Sequence, residues 1–485
     1  MNILHVPWLD LAIALALIGS PIVSRLRNPN RANRWVVWFT GAAFSCTFMA
    51  WLAFYLGTTT EEILRHSIQP SLFGRTVFYL DELNAPIVPA VALLHFLTAL
   101  ATARTKMRRF SATLSLAAEF IRLCAFSCSI PWVLIGFLSA STILPLIEFS
   151  NRGRPKRVYL IHMGAFVALL TLGWTAVEMN GSTSTLAPWW ACLPLLLAVM
   201  VRCGTVPAHV WLTDWFEHAS FGTALLFVTP LGGVYLAVRL VLPISPDWVL
   251  QSIGILSLVT AVYAAGMATI QKDERRFFAN LFLSQASLVL VGLELHTELS
   301  LTASLCLWFS AILSLGGFGL TLRALESRFG RLSLTDFHGL YEHSPALAVC
   351  FMLTGLGTVG FPGTLGFIST ELLVDSAVEE NPFVGVCVVT AGALNGIALL
   401  RAYFRLFTGA RHHSTVSLGL GTRERVAVLT LSALILGGGL LPQPGVSTRQ
   451  RAAEEALREH NRRSGKTTPS HKEHERHGQT VIQRR

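Results

Sequence analysis

The chain has 485 residues, 52% of them hydrophobic and 14% charged, with a mean hydropathy of +0.53. A soluble domain carries about 25% charged residues, so water is not the main solvent of this chain. The net charge of +10 falls in short clusters between apolar blocks and in the C-terminal segment, which is a membrane topology signal and not a nucleic-acid-binding face.

The apolar blocks are each near the ~20 residues that cross a bilayer, and they do not alternate with period two, so they read as helices and not as barrel strands. In chain order the spans read as 8–24, 35–56, 83–103, 111–128, 130–148, 158–178, 189–216, 219–240, 247–270, 276–294, 300–323, 345–378, 383–404 and 426–441. The expected fold is therefore an all-α polytopic membrane protein of about 14 transmembrane helices in the lipid bilayer. The first span has no Lys or Arg before it and a basic loop after it, the reverse of a secretory signal, so it reads as a retained helix. The eight cysteines, Cys46, Cys124, Cys128, Cys192, Cys203, Cys306, Cys350 and Cys387, lie inside apolar blocks without CxxC spacing and read as small core residues.

Every second loop is basic: 25–34, 104–109, 152–157, 272–276, 323–331 and 405–425. The loops between them are acidic or neutral, with Glu61 and Glu62, Asp81 and Glu82, 178–187, 294–298, and Glu379 and Glu380. The positive-inside rule puts the basic loops in the cytoplasm and both termini outside, across a cell or inner membrane. The tail at 448–485 is itself basic, and long tails translocate regardless of charge. Spans seven and twelve are long and interrupted, at Gly204-Thr205-Val206-Pro207 and at Gly357-Thr358-Val359-Gly360-Phe361-Pro362-Gly363. The shared Gly-Thr-Val followed by Pro is an internal repeat. Its copies lie five spans apart and so cross the membrane in opposite directions, the mark of inverted repeats with discontinuous helices. Gly and Pro are common in transmembrane helices generally, which is the structural alternative. The predicted helix breaks are thus Gly204 and Pro207 in one copy, and Gly360, Pro362 and Gly363 in the other. The organisation reads as three N-terminal spans at 1–104, inverted halves at 105–241 and 242–409, a final span at 410–446 and a basic disordered tail at 447–485.

At these interruptions the sequence resembles the antiporter-type membrane subunits of respiratory complex I (subunits L, M and N), Mrp cation/proton antiporters and membrane-bound hydrogenases. Arg202-Cys203-Gly204-Thr205-Val206-Pro207-Ala208-His209-Val210-Trp211-Leu212-Thr213-Asp214 is similar to the family's K-x-x-x-x-P-x-H-x-W-L-P-D. Gln271-Lys272-Asp273-Glu274-Arg275-Arg276, followed by Ser284-Gln285, resembles its Q-K-D-I-K-R segment with a later S-Q or S-H. Gly360-Phe361-Pro362-Gly363-Thr364-Leu365-Gly366-Phe367 resembles G-x-P-G-x-x-G-F, and Phe78-Tyr79-Leu80-Asp81-Glu82-Leu83 resembles F-x-L-D-x-L. The resemblance implies that helices four to eight and nine to thirteen form two inverted halves. It also implies a chain of Glu, Lys and His that passes protons near the midplane.

Several relay positions that the resemblance implies are occupied here by groups that do not relay. The helix-five Glu falls at Ala140, and the helix-seven Lys at Arg202, whose guanidinium stays charged. The helix-eight His falls near Leu226 or Phe227, the helix-eleven His and Lys near Ala311 and Leu315, and the helix-twelve Lys or Glu near Thr370, beside Glu371. Intramembrane ionisable residues are functional candidates by default. Glu119 and Arg122, three apart on one face, read as a structural or a functional ion pair. Glu148 reads as a partner for Arg202 or as a solvated helix end. Arg202 itself needs a carboxylate, a carbonyl cluster or water. His209, Asp214, Glu217 and His218 read as a cytoplasmic mouth or a plain polar loop, and Arg275 as a second relay position or a basic anchor.

The tail carries His460, His471, His474 and His477, with an amphipathic start at 452–457 followed by disorder; no metal site is expected there. No Rossmann loop, P-loop, haem or iron–sulfur ligand set or nucleophile triad is present, so no cofactor and no redox chemistry are expected in this chain. Any enzymatic role is that of a subunit of an NADH:quinone oxidoreductase-type translocase. Two functions compete. One is a proton- or cation-translocating subunit beside other membrane subunits, with a partly degraded pathway. The other, also known among relatives of the family, is the membrane half of a two-component inorganic-carbon pump with a cytoplasmic zinc protein as partner.

Overall fold

The computed structural model describes residues 6–57, 76–103, 110–181, 185–293, 295, 297–409 and 421–465. Expectations for Glu61, Glu62, Glu294, the loop at 104–109, most of the loop at 405–425 and the histidines His471, His474 and His477 lie outside these residues. Among the described residues the protein is all-helical, with two isolated β-bridges, Phe78 with Cys128 and Asp273 with Ser333, in place of any strand.

The helices are α1 Trp8–Ser24, α2 Pro29–Tyr55, α3 Ile87–Leu100, α4 Ala112–Ser127, α5 Pro131–Asn151, α6 Arg157–Met179, α7 Trp189–Cys203, α8 Val210–His218 and α9 Phe221–Val228. They continue with α10 Gly232–Leu236, which runs into a π-helical turn at Ala237–Val241, then α11 Asp247–Ile270, α12 Glu274–Val291 and α13 Glu298–Phe329. The last are α14 Pro345–Val359, α15 Leu365–Glu380, α16 Pro382–Phe407, α17 Thr422–Leu440 and α18 Gln443–Ser464. Seven segments are individually long and apolar enough to cross a bilayer: α2, α5, α6, the stretch from Phe221 to Val241, α11, α13 and α16. A polytopic membrane protein follows from them.

Local chemistry sets the helix starts. Asp273 caps α12 by accepting from the N–H groups of Arg275 at 2.9 Å and Arg276 at 3.1 Å, which gives the Gln271-Lys272-Asp273 segment a structural reason. Asp81 and Asn84 exchange side-chain-to-backbone bonds at 2.8 and 2.9 Å and so fold the turn before α3. Thr297 and Ser300 close a capping box on α13.

The 32-residue α13 is apolar all round and is buried along nearly its whole length, so it forms the spine of the bundle. It packs on α3, α12, α14, α15, α17 and α18. The perimeter helices turn large apolar side chains outward, among them Trp38, Leu172 and Phe383, as a lipid-facing surface requires.

Two spans differ from the sequence reading. The eighth, expected as one helix, is interrupted at Thr229–Leu231, because Pro230 has no N–H to continue the ladder and Leu231 takes a left-handed φ of 53°. The segment expected to be a disordered tail is helical over Gln443–Ser464 and turns 80° from α17. Packing explains the correction: α18 lies on α13, and its Arg449 and His460 are buried. Residues 466–485 lie outside the described part.

Candidate ion pathway

Both predicted interruptions sit at left-handed glycines. α7 stops at Gly204, φ 73°, and α14 at Gly360, φ 75°, where only a residue without Cβ adopts the turn freely. Each is closed the same way: the N–H of Thr205 returns to Met200 O, and that of Phe361 to Leu356 O, both at 3.0 Å. Pro207 and Pro362 follow, and the helices resume at Val210 and Leu365.

Arg202 lies in the last turn of α7 and is 6% exposed. Among the described residues it has no carboxylate partner. Its Nη2 donates to Phe227 O at 3.5 Å, and its guanidinium carbon lies 4.5 Å from the Phe227 ring centre and 6.0 Å from that of Trp211. The acceptor exists because α9 breaks: Leu231 N–H bonds Val228 O, which leaves the Phe227 carbonyl free. Trp211 is held in turn by its Nε1 donating to Val201 O at 2.8 Å, at the edge of the first interruption.

Glu148 does not reach Arg202, and it is not a solvated end. It is 5% exposed, accepts from Arg152 Nη1 at 3.0 Å and from the Ser220 N–H at 2.9 Å, and so ties α5 to the start of α9. Glu119 and Arg122 do not form the ion pair their spacing allows. Arg122 Nη1 turns to His95 Nε2 at 3.3 Å and Ala118 O at 3.2 Å, while both Glu119 oxygens are buried without a partner among the described residues.

Arg275 is no surface anchor. It sits in a buried clasp, with Nη2 on Glu326 at 2.7 Å and Nη1 donating to Phe216 O at 2.9 Å and Ala219 O at 2.8 Å. Arg323, one turn before Glu326, donates to Thr98 O and Thr102 Oγ1 at 2.9 and 3.0 Å. A cavity of about 40 Å³ lies between them, lined by Arg152, Ser220, Arg275, Arg323 and Glu326 among others.

The cluster expected at His209, Asp214, Glu217 and His218 divides. Asp214 pairs with His218 at 3.2 Å and Glu217 with Arg276 at 2.7 Å, whereas the His209 ring faces Tyr263 at 5.4 Å. Glu371 is exposed on the outer side of α15. Sequence reasoning missed His95, Glu326 and Arg323. The signal for His95 was a single histidine inside the apolar run of α3, which deserved the default reading of an intramembrane ionisable residue.

Ionisable side chains brought together inside an apolar helix bundle, beside interrupted helices, define the class: a polytopic membrane protein with a polar interior. A sequence profile described as "NADH:quinone oxidoreductase/Mrp antiporter, TM" matches residues 159–395. NADH-quinone oxidoreductase subunit 13 of Thermus thermophilus is 27% identical over 416 residues, covering 80% of this chain and 87% of that one. Against other curated relatives the match spans about half of their length. A chain of respiratory complex I from Thermus thermophilus superposes with a TM-score of 0.81 at 23% identity, covering 93% of this chain and 99% of its own. A chain of the Mrp complex from Dietzia sp. DQ12-45-1b does so with 0.77 at 17% identity, covering 94% and 98%. The chain is thus similar, in sequence and in fold, to antiporter-like membrane subunits of NADH:quinone oxidoreductases and Mrp antiporters.

Proposed function

We propose that this chain translocates protons or cations as the antiporter-like subunit of a larger membrane complex, in which other membrane subunits cover part of its perimeter. In this reading it crosses the inner membrane 14 times, with both termini outside. Its halves at 105–241 and 242–409 are inverted copies, each with one discontinuous helix. The observation that carries the reading is the matched pair of glycine-closed interruptions at Gly204 and Gly360, the first of them with the buried Arg202 in the helix turn before it. Interrupted helices expose backbone dipoles and free carbonyls near the midplane, which is what an ion needs in place of bulk water. Arg202 acts there as a fixed positive charge, because a guanidinium does not deprotonate at physiological pH.

The test is proton flux into liposomes that hold the purified chain, against empty liposomes. Flux above the empty control is expected, and its absence would overturn the reading. Arg202→Lys keeps the charge and should keep flux. Arg202→Leu should lower it about tenfold without loss of folded protein, since no carboxylate loses its partner.

A further inference from the structure

His95 lies in α3 and is fully buried. Arg122 Nη1 points at its Nε2, and a guanidinium has donors only. Nε2 therefore carries the lone pair and the ring proton sits at Nδ1, which is buried without a hydrogen-bond partner among the described residues. One turn before Arg122, on the same face of α4, Glu119 is fully buried with neither oxygen partnered among the described residues. A cavity of about 20 Å³ opens beside Arg122, lined by Ser115, Ala118, Ser141, Thr223 and Phe227 among others. It has room for about one water, or for the guanidinium to turn.

We propose that Arg122 exchanges between His95 and Glu119 and thereby moves a proton between them, which deepens the translocation reading and rests on it. In the arrangement seen here Glu119 is a carboxylic acid and Arg122 occupies His95 Nε2. When the Glu119 O–H bond breaks, the carboxylate draws the guanidinium one turn along α4. Nε2 is vacated and the released proton bonds there, giving an imidazolium. The trio carries one positive charge before and after: acid, neutral ring and guanidinium become carboxylate, imidazolium and guanidinium. Transfer inside an apolar bundle is cheapest when the net charge of the site does not change. The proton next leaves from the ring, and another enters at Glu119. The site thus supplies a carboxylate in α4 and an imidazole in α3 where the helix-five position holds Ala140.

The experiment uses the full chain in liposomes and follows pH-induced infrared difference spectra together with proton flux. Wild type should show a carboxylic-acid band that disappears as imidazolium signals grow. Glu119→Gln should lack the band, and His95→Gln should keep it but lose the coupled imidazolium change. Flux should fall at least about tenfold in both, with partial recovery in Glu119→Asp. Elution and unfolding profiles of the two near-isosteric variants establish that they are folded. An unchanged band in Glu119→Gln, or an unchanged titration with normal flux in His95→Gln, would overturn the exchange while leaving translocation standing. A coupled band in a wild type that conducts no protons would do the reverse.

Discussion

At the scale of single residues, the interior of this protein holds arginines against carbonyls, rings and carboxylates. Arg275 shows what such an arrangement costs to disturb. Its guanidinium spends every nitrogen, on Glu326, Phe216 O and Ala219 O, and both charged side chains are more than nine-tenths buried. Removing one member of a buried pair strands the other, a loss of about 3–5 kcal/mol. Glu326→Ala should therefore unfold earlier by that margin in a detergent titration, and the double variant Arg275→Met/Glu326→Leu should recover most of it. A double variant no more stable than Glu326→Ala would contradict the stranded-charge explanation.

At the scale of elements, the interruptions and the C-terminal helix carry the argument. The break in α9 frees the Phe227 carbonyl inside the bundle, and Arg202 takes it. α18 acts as a strap over the ends of three other segments. Arg449 donates to the carbonyls of Glu82 and Leu83, Gln450 to Glu298, and His460 bonds Leu242 O at 2.9 Å and Asp247 at 3.3 Å. His460→Ala should loosen the strap and raise its proteolytic cleavage and amide exchange, with the transmembrane helices unaffected. The end of the strap has a pH dependence of its own. Partial burial pushes the Glu459 carboxyl up, but hydrogen bonds from Arg462 and Arg463 outweigh it and hold the group below the ordinary glutamate range. A carboxylate held low in the folded state contributes stability above its unfolded value, and that contribution is lost as pH falls through the folded value. Exchange at the end of α18 should rise on acidification, by less than about 1 kcal/mol because the pair is partly exposed, and Glu459→Gln should abolish the dependence.

At the scale of the whole molecule, the prediction is topology. In a cysteine-free background, single cysteines at 152–157 and 405–425 should resist an impermeant thiol reagent added outside intact cells, and cysteines in α18 should react. Labelling of the first two loops from outside would reverse the orientation. Among the described residues seven segments are long and apolar enough to cross, and the shorter and interrupted helices add to them in the fourteen-span reading.

Much of the architecture was written in local chemistry. Hydropathy marked the spans, and the Gly-Thr-Val and Pro pattern marked the interruptions at Gly204 and Gly360, because lipid forces every backbone group into a helix except where glycine and proline prevent it. Pro230 carried the same signal for the break in α9, but the surrounding apolar run hid it. The polarity of α18 was read as disorder, since its burial depends on loops hundreds of residues away, at Glu82 and Asp247. Partner choice was decided by the tertiary structure alone. Spacing on one helix permitted Glu119 to meet Arg122, and only the placement of α3 put His95 closer to that guanidinium. Sequence determines which side chains carry charge and on which face they stand. The fold determines which of them lose water together, and in an apolar interior that decides the pairing.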